Sequence, residues 1–112
     1  MTDYKQGDVI LVPFKNDNGA KKRPALVLSS LAHNMATGEL VIAQVTSRAP
    51  FQSRSGDYQI AQWQEANLPG PALVRCRLAT IKNSWVVRNL GEMAEADLRG
   101  VTQALSLALP GS

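Results

Sequence analysis

The stretch DVILVPFKNDNGAKKRPALVLSS, residues 8–30, decides the fold. Two apolar runs, the first with three β-branched residues, flank a polar segment that contains Asn18-Gly19, a pair that tolerates positive φ. This pattern predicts a β-hairpin with a long connecting loop. Pro24 cannot donate a hydrogen bond to a ladder, so we expect it to open its strand or to lie on an edge.

Further apolar runs continue the β pattern towards the C-terminus. The runs predict strands at residues 40–47, 57–61, 72–76 and 85–90, and a short turn or strand at residues 78–81. Between the strands, the polar stretches 31–39 and 62–67 favour loops that can each hold a helical turn.

The last element has a different period. Apolar residues recur at gaps of four and three, which predicts a helix with one buried stripe formed by Ala94, Leu98, Val101, Leu105 and Ala108. Gly100 weakens this helix by about 1 kcal/mol relative to Ala, so packing must hold it. The sequence therefore predicts a mainly β (β+α) fold, a small β-barrel with a C-terminal amphipathic helix packed against it, as a single domain over residues 1–112.

Composition excludes several classes of protein. The chain has 112 residues, of which 45% are hydrophobic and 19% charged, so disordered and collagen-like chains are excluded. One cysteine cannot form an internal disulfide. The longest apolar runs are far too short to span a membrane, and the first residues show no secretory signal. We therefore expect a cytoplasmic protein that does not contact a membrane.

The positive charge is concentrated in the middle of the chain. The formal net charge is +3, but residues 15–88 hold ten basic and four acidic residues. A polyanion would be drawn to that region. A solvated surface with some basic excess explains the same numbers, and on charge alone it is the simpler interpretation.

The residues favour phosphate chemistry over metal or nucleophilic chemistry. His33 is the one histidine and Cys76 lies in a predicted strand, so we expect no metal, no cofactor and no catalytic triad. Arg23, Thr46 and Arg75 instead lie at predicted strand ends, where guanidinium and hydroxyl groups can converge on a phosphodiester. Each arginine has a simpler interpretation as a solvated or ion-paired side chain.

The two tryptophans allow two interpretations. Trp63 and Trp85 could stack on nucleic-acid bases, but the apolar residues beside them favour a place in the core, above all for Trp85.

Several segments, in order, resemble the MazF/PemK-like toxins of type II toxin–antitoxin systems. The matching pieces are GDVILVPF (7–14), KKRPALVLS (21–29), VIAQVTS (41–47), ALVRC (72–76), LATI (78–81) and LGEMAEADLRGVTQAL (90–105). The resemblance implies an SH3-like barrel, a homodimer, and metal-independent cleavage of single-stranded RNA, mRNA above all, to a 2′,3′-cyclic phosphate and a 5′-hydroxyl. It also implies a cognate antitoxin that occludes the RNA site.

The resemblance also suggests site residues. Arg23, Thr46 and Arg75 match catalytic positions of the family. The RNA strand would be guided by Lys21, Lys22, Ser47, Arg48, Arg54 and Arg77.

One position departs from the pattern. The PemK-type subgroup has an acidic residue two positions after the Val-Arg-Cys arginine, and here that position holds Arg77. The general base is therefore unassigned among Asp57, Gln44 and a deprotonated guanidine. Two other functions stay open, an RNA- or antitoxin-binding module without catalysis and a toxin that acts on DNA gyrase, since a related fold supports that activity.

Overall fold

The computed structural model describes residues 3–16, 19–47 and 54–109. Within these ranges no helix is long and apolar enough to cross a membrane. The described chain forms six strands and two helices, in the order β1 (Asp8–Asn16), β2 (Gly19–Val27), α1 (Leu31–Thr37), β3 (Glu39–Thr46), β4 (Tyr58–Gln59), β5 (Leu73–Lys82), β6 (Arg88–Glu92) and α2 (Glu95–Ala108).

The described strands make one antiparallel sheet in the order β4-β5-β3-β2-β1-β6. The sheet curls into a half-barrel, with the short strands β4 and β6 at its edges. The predicted hairpin is β1–β2, in which Val9 pairs with Leu26 and Val12 pairs with Arg23. The mainly β prediction with a C-terminal helix is confirmed.

The two faces of the sheet bury different side chains. One face packs against α2 through Val9, Leu26, Ala43, Val45 and Val74, and we call it the helix face. The stripe predicted for α2 is confirmed, because Val101 is buried there and Leu98 and Leu105 pack beside it.

Successive side chains along each strand point to opposite faces of the sheet, so the residues between those of the helix face belong to the other face. It carries a second core cluster with Ile10, Val12, Ala25, Val27 and Ile42, and we call it the groove face.

Some elements differ from the sequence prediction. Residues 72–76 and 78–81 belong to one long strand, β5, rather than to two pieces. The segment 31–39, expected to be a loop that can hold a helical turn, forms the seven-residue helix α1, which follows the N-cap Ser30 and ends at Gly38 with φ +70°. No helix forms at residues 62–67, which make turns.

A buried carboxylate joins α2 to the edge of the sheet. Asp97, in the first turn of α2, accepts hydrogen bonds from the Tyr58 hydroxyl (2.6 Å) and from the backbone N–H groups of Ala61 (3.0 Å) and Gln62 (2.9 Å). Burial alone raises the pKa of Asp97, but these hydrogen bonds outweigh it and hold that pKa below its ordinary value. The hydrogen bond to Asp97, together with burial, raises the pKa of Tyr58 to about 12.

Gly100 lets the Tyr58 ring lie against α2. A Cβ at this position would overlap the ring. The glycine that the sequence marks as a weakness of the helix is therefore a packing requirement, since only a residue without a side chain leaves room for the ring.

We expect Gly100→Ala to destabilise the protein by about 2 kcal/mol. Alanine gains about 1 kcal/mol in helix propensity, but the overlap with Tyr58 forces the ring or the helix to move at a larger cost. Urea unfolding followed by circular dichroism measures the difference. Gly70→Ala is the control, because a Cβ there meets nothing within 4 Å. A Gly100→Ala protein more stable than wild type would contradict this account of the packing.

We expect the stability of the protein to fall in alkali between pH 10 and pH 12. The folded pKa of Tyr58 is raised above the ordinary 10.0, so its contribution is complete below pH 10 and is lost as the pH rises through about 12. By linkage the loss reaches about 2 kcal/mol at pH 12. Urea unfolding across this range should show it in wild type and not in Tyr58→Phe. Equal slopes in the two proteins would refute it.

Candidate functional site

The candidate site begins where the β2–β3 ladder stops. The Leu28 N–H donates to the Val41 carbonyl (2.8 Å), so by alternation the N–H groups of even-numbered β2 residues face β3. Pro24 is even-numbered and has no N–H to give. The paired residues accordingly end at Ala25, opposite Gln44. Pro24 thus lies within β2 and pairs with Leu11 of β1. On the opposite edge of β2, which faces β3, it ends the ladder.

Arg23 and Thr46 lie just beyond the last paired residues of these two strands. Continuing the register of Ala25 with Gln44 by two positions sets Arg23 opposite Thr46 on the groove face. Both side chains are half-buried. The extrapolated register therefore places a guanidinium and a hydroxyl on the same face of two neighbouring strands, just past the end of their ladder.

A bulge on β5 adds the second arginine. Ala43 pairs with Leu78, whereas Val45 pairs with Val74, so three β5 residues stand opposite the single Gln44. These three are Arg75, Cys76 and Arg77. Two extra residues preserve the alternation, so both arginines stay on the groove face.

Arg75 and Arg23 are separated by one strand. Thr46 pairs with Leu73, two residues before Arg75, and β3 lies between β2 and β5. Two strand spacings across the sheet and two residues along β5 put about 12 Å between the backbones, a distance that two long arginine side chains can bridge around one small anion.

Arg75 is half-buried against Asp57. Nη1 of Arg75 lies 3.4 Å from Oδ2 of Asp57, and the side chains are 18% and 4% exposed. The contact does not have the geometry of a hydrogen bond, and the buried Nη1 has no hydrogen-bond acceptor within the described part of the chain. Part of the donor capacity of Arg75 is therefore unused.

The predicted RNA-guiding residues divide between the faces. Lys21 is exposed two residues before Arg23, on the groove face, whereas alternation directs the exposed Lys22 to the opposite face. The structure therefore brings Lys21 to the site but not Lys22.

Three of the remaining predicted residues are exposed near Thr46, Arg75 or Asp57, and the fourth lies outside the described chain. Ser47 is exposed directly after Thr46, and Arg77 is exposed in the β5 bulge. Arg54 is exposed beside Asp57, whose carboxylate accepts its backbone N–H. Arg48 lies outside the described residues.

An apolar groove continues the same face. It encloses about 530 Å³, and its lining includes Phe14, Ile42, Ala79, Ile81 and Trp85. The expectation of a core tryptophan is wrong for Trp85, which is 51% exposed. Its segment forms a 3-10 turn at Asn83–Trp85 before β6 begins, so the side chain is not enclosed between strands. Alternation along β1 and β5 could have indicated this groove.

The other side chains singled out in the sequence take minor positions. Trp63 packs against the helix-face core, as predicted. His33 is exposed on α1, and Cys76 is half-buried in the β5 bulge. Among the described residues no group of three or more His, Cys, Asp or Glu could hold a metal ion.

Comparison with known proteins gives a consistent family. A family model described as "PemK-like, MazF-like toxin of type II toxin-antitoxin system" matches residues 5–109. Among curated proteins no significant relative matches this chain.

Solved structures share the fold over nearly their whole length. A MazE–MazF crystal structure (form III) from Deinococcus radiodurans is 26% identical, covers 99% of this chain and 100% of its own, and has a TM-score of 0.78. An endoribonuclease in complex with its cognate antitoxin, from a mycobacterial species, is 22% identical over 97% and 95%, with a TM-score of 0.73. The Mycobacterium tuberculosis toxin MazF-mt6 is 16% identical over 94% and 98%, with a TM-score of 0.76.

Proposed function

Because the chain belongs to the family of PemK-like, MazF-like toxins of type II toxin–antitoxin systems, we propose that it is a metal-independent endoribonuclease that cleaves single-stranded RNA. The observation that supports the proposal is that strand register and alternation set Arg23, Thr46 and Arg75 on the same face of the sheet, where its ladders are interrupted. The mycobacterial protein with the same fold, described as an endoribonuclease, supports it.

In the proposed reaction RNA supplies its own nucleophile. The 2′-oxygen forms a bond to phosphorus and loses its proton, the bond from phosphorus to the 5′-oxygen breaks, and that oxygen gains a proton. The products are a 2′,3′-cyclic phosphate and a 5′-hydroxyl. Because the negative charge on the phosphoryl oxygens grows in the transition state, fixed cations lower the barrier without a metal ion.

Arg23 and Arg75 would bind the scissile phosphate from two sides. A guanidinium presents parallel N–H donors that match two phosphate oxygens, and it stays charged at any working pH. The Thr46 hydroxyl, between them, would donate a further hydrogen bond. Exposed Lys21, Ser47, Arg54 and Arg77, together with Arg48, would attract the flanking phosphates.

The proposed partners follow from the same surface. The antitoxin segment that crosses the groove face is expected to be acidic, since it competes with RNA for the same cations. The MazE–MazF complex of similar fold supports an antitoxin partner. We place the activity in the cytoplasm, where the mRNA substrate is translated.

A binding module without catalysis is the second candidate function. Arg77 stands where the similar subgroup has a carboxylate, so a proton acceptor at that position is missing. Such a protein would bind RNA or antitoxin on the same cations but leave the RNA intact.

We expect purified protein to cleave single-stranded RNA with a chelator present. Arg23→Ala and Arg75→Ala should each lower the rate by about 10²- to 10³-fold, the usual effect of removing one transition-state donor. End-group analysis should find the 2′,3′-cyclic phosphate. Arg99→Ala is the control, because Arg99 is an exposed residue of α2 paired with Glu95.

Three results would count against the nuclease. Activity that disappears with the chelator would contradict the metal-independent mechanism, as would activity that survives the Arg23→Ala, Arg75→Ala double change. RNA that is bound but stays intact, with no growth arrest when the gene is induced in a bacterium, would favour the binding module.

We also expect a homodimer in solution, as the resemblance implies. A second copy would cover the apolar groove, where Trp85 and Phe14 lie, so Trp85→Ser should shift the protein towards monomer. Leu11 does not line this groove; its partners on the neighbouring strands are Pro24 and Arg88.

Sedimentation equilibrium at micromolar concentration tests the dimer. Leu107→Ser is the control, because Leu107 is an exposed apolar residue on α2, 77% accessible and remote from the groove lining. A wild-type protein that sediments only as a monomer would contradict the dimer, and a Trp85→Ser protein that stays dimeric would move the interface elsewhere.

A further inference from the structure

The contact between Asp57 and Arg75 is a cross-strand pair at the edge of the sheet. Tyr58 pairs with Val74, so the next position of the register sets Asp57 directly opposite Arg75 on the groove face. The carboxylate is almost fully buried, at 4% exposure, beneath a guanidinium that keeps 18%. The Asp57 carboxylate is thus fixed within the protein, while part of the Arg75 side chain reaches solvent.

Asp57 is itself held by its turn. Its Oδ2 accepts the backbone N–H of Arg54 (2.8 Å), and its own N–H donates to the Arg54 carbonyl (2.9 Å). Gly56, with φ +89°, lets this turn approach β5, since a Cβ there would lie 2.7 Å from Cβ of Cys76 and 2.9 Å from Cβ of Ala108. The carboxylate is therefore anchored against the bulge that carries Arg75.

The pair does not saturate Arg75. At 3.4 Å the Nη1–Oδ2 separation is longer than the 2.7–2.9 Å typical of a charge-assisted hydrogen bond, and Nη1 lacks an acceptor among the described residues. Asp57 thus attracts and orients the guanidinium from the side of Nη1, which is buried, while 18% of the Arg75 side chain stays open to solvent.

Burial also separates this carboxylate from the role of a general base. A base must lie within hydrogen-bond reach of the 2′-hydroxyl. The Asp57 side chain is 4% exposed, and its Oδ2 already faces the Arg54 N–H and Arg75. Any effect of Asp57 on an RNA substrate would therefore pass through the arginine.

We propose that Asp57 is a positioning residue, whose buried carboxylate holds the Arg75 guanidinium in the orientation that binds the scissile phosphate. The inference rests on the proposed RNA-cleaving function. Asp57, the residue directly before β4, supplies the carboxylate beside Arg75 at this edge of the sheet, and two residues after Arg75 the strand β5 carries a second arginine, Arg77.

A double-mutant cycle tests the inference. Asp57→Asn keeps the shape and an acceptor for the turn but removes the charge, and it should lower kcat for RNA cleavage by about 10-fold or more. On an Arg75→Ala background the same change should alter the rate by less than twofold, because the group through which Asp57 acts is gone. Glu95→Gln and Arg99→Ala form the matched control cycle at the exposed ion pair of α2, with no change expected in any arm.

The outcomes separate positioning from other roles. Multiplicative effects of Asp57→Asn and Arg75→Ala would show an independent role, such as proton transfer, and would overturn the proposal, as would an unchanged rate in Asp57→Asn. If Asp57→Asn does not fold, Asp57→Ser retains an acceptor for the Arg54 N–H and takes its place in the cycle. Thermal unfolding of every variant identifies effects that come only from loss of structure.

A binding arm distinguishes failure of the inference from failure of the proposed function. The same cycle is measured with a single-stranded 2′-O-methyl RNA, which cannot be cleaved because its 2′-oxygen is blocked. A wild-type protein that binds this RNA without cleaving RNA would refute the nuclease, and the binding cycle would still decide whether Asp57 acts through Arg75. A protein that neither binds nor cleaves would overturn both.

Discussion

The buried carboxylate of Asp97 is the constraint on which the arrangement depends. It satisfies three donors from β4 and the turn that follows, and it sits in the first turn of α2. A two-residue edge strand would otherwise have little to hold it, since isolated short strands are marginal. Through Tyr58, this one group fixes the neighbouring Asp57, and so links the packing of the C-terminal helix on one face to the arginine on the other.

The candidate site occupies two interruptions of an otherwise regular sheet. Pro24 ends the β2–β3 ladder, and the β5 bulge sets Arg75, Cys76 and Arg77 against Gln44. A regular ladder pairs its backbone groups throughout, whereas a stopped ladder and a bulge leave backbone groups unpaired and change the direction of side chains at that point of the sheet. Regular pairing elsewhere supplies the rigidity that such a point needs.

Much of the fold could be predicted from the sequence because its signals are local. The hairpin follows from two apolar runs around Asn18-Gly19, and the stripe with Leu98 and Val101 follows from helical spacing. The helix α1 also carried local signals, since Ser30 caps its start and Gly38 ends it, but its polar composition favoured a loop. Alternation along β1 and β5 indicates which residues face the groove, but the shape of the groove and the exposure of Trp85 depend on how distant strands curl together, which no local pattern encodes.

The candidate site was only partly predictable for the same reason. Arginine and hydroxyl residues at strand ends could be recognised one by one, and the alternation of β2 separates Lys21 from Lys22. The pairing of Asp57 with Arg75 could not be recognised, because β4 and β5 are joined by a long irregular segment whose length does not set the register.

The extra length of β5 has a consequence for how this strand can change over time. Between the two regular parts of the ladder, β5 has two residues more than β3. Because this number is even, Leu73 and Ala79 lie on the same face of the sheet, and the buried and the charged residues before and after the bulge keep to their own faces. Losing or gaining a single residue here would turn one half of the strand over and exchange its inward and outward side chains. Related proteins should therefore differ in the length of this segment by an even number of residues, or compensate an odd number by a second insertion or deletion nearby.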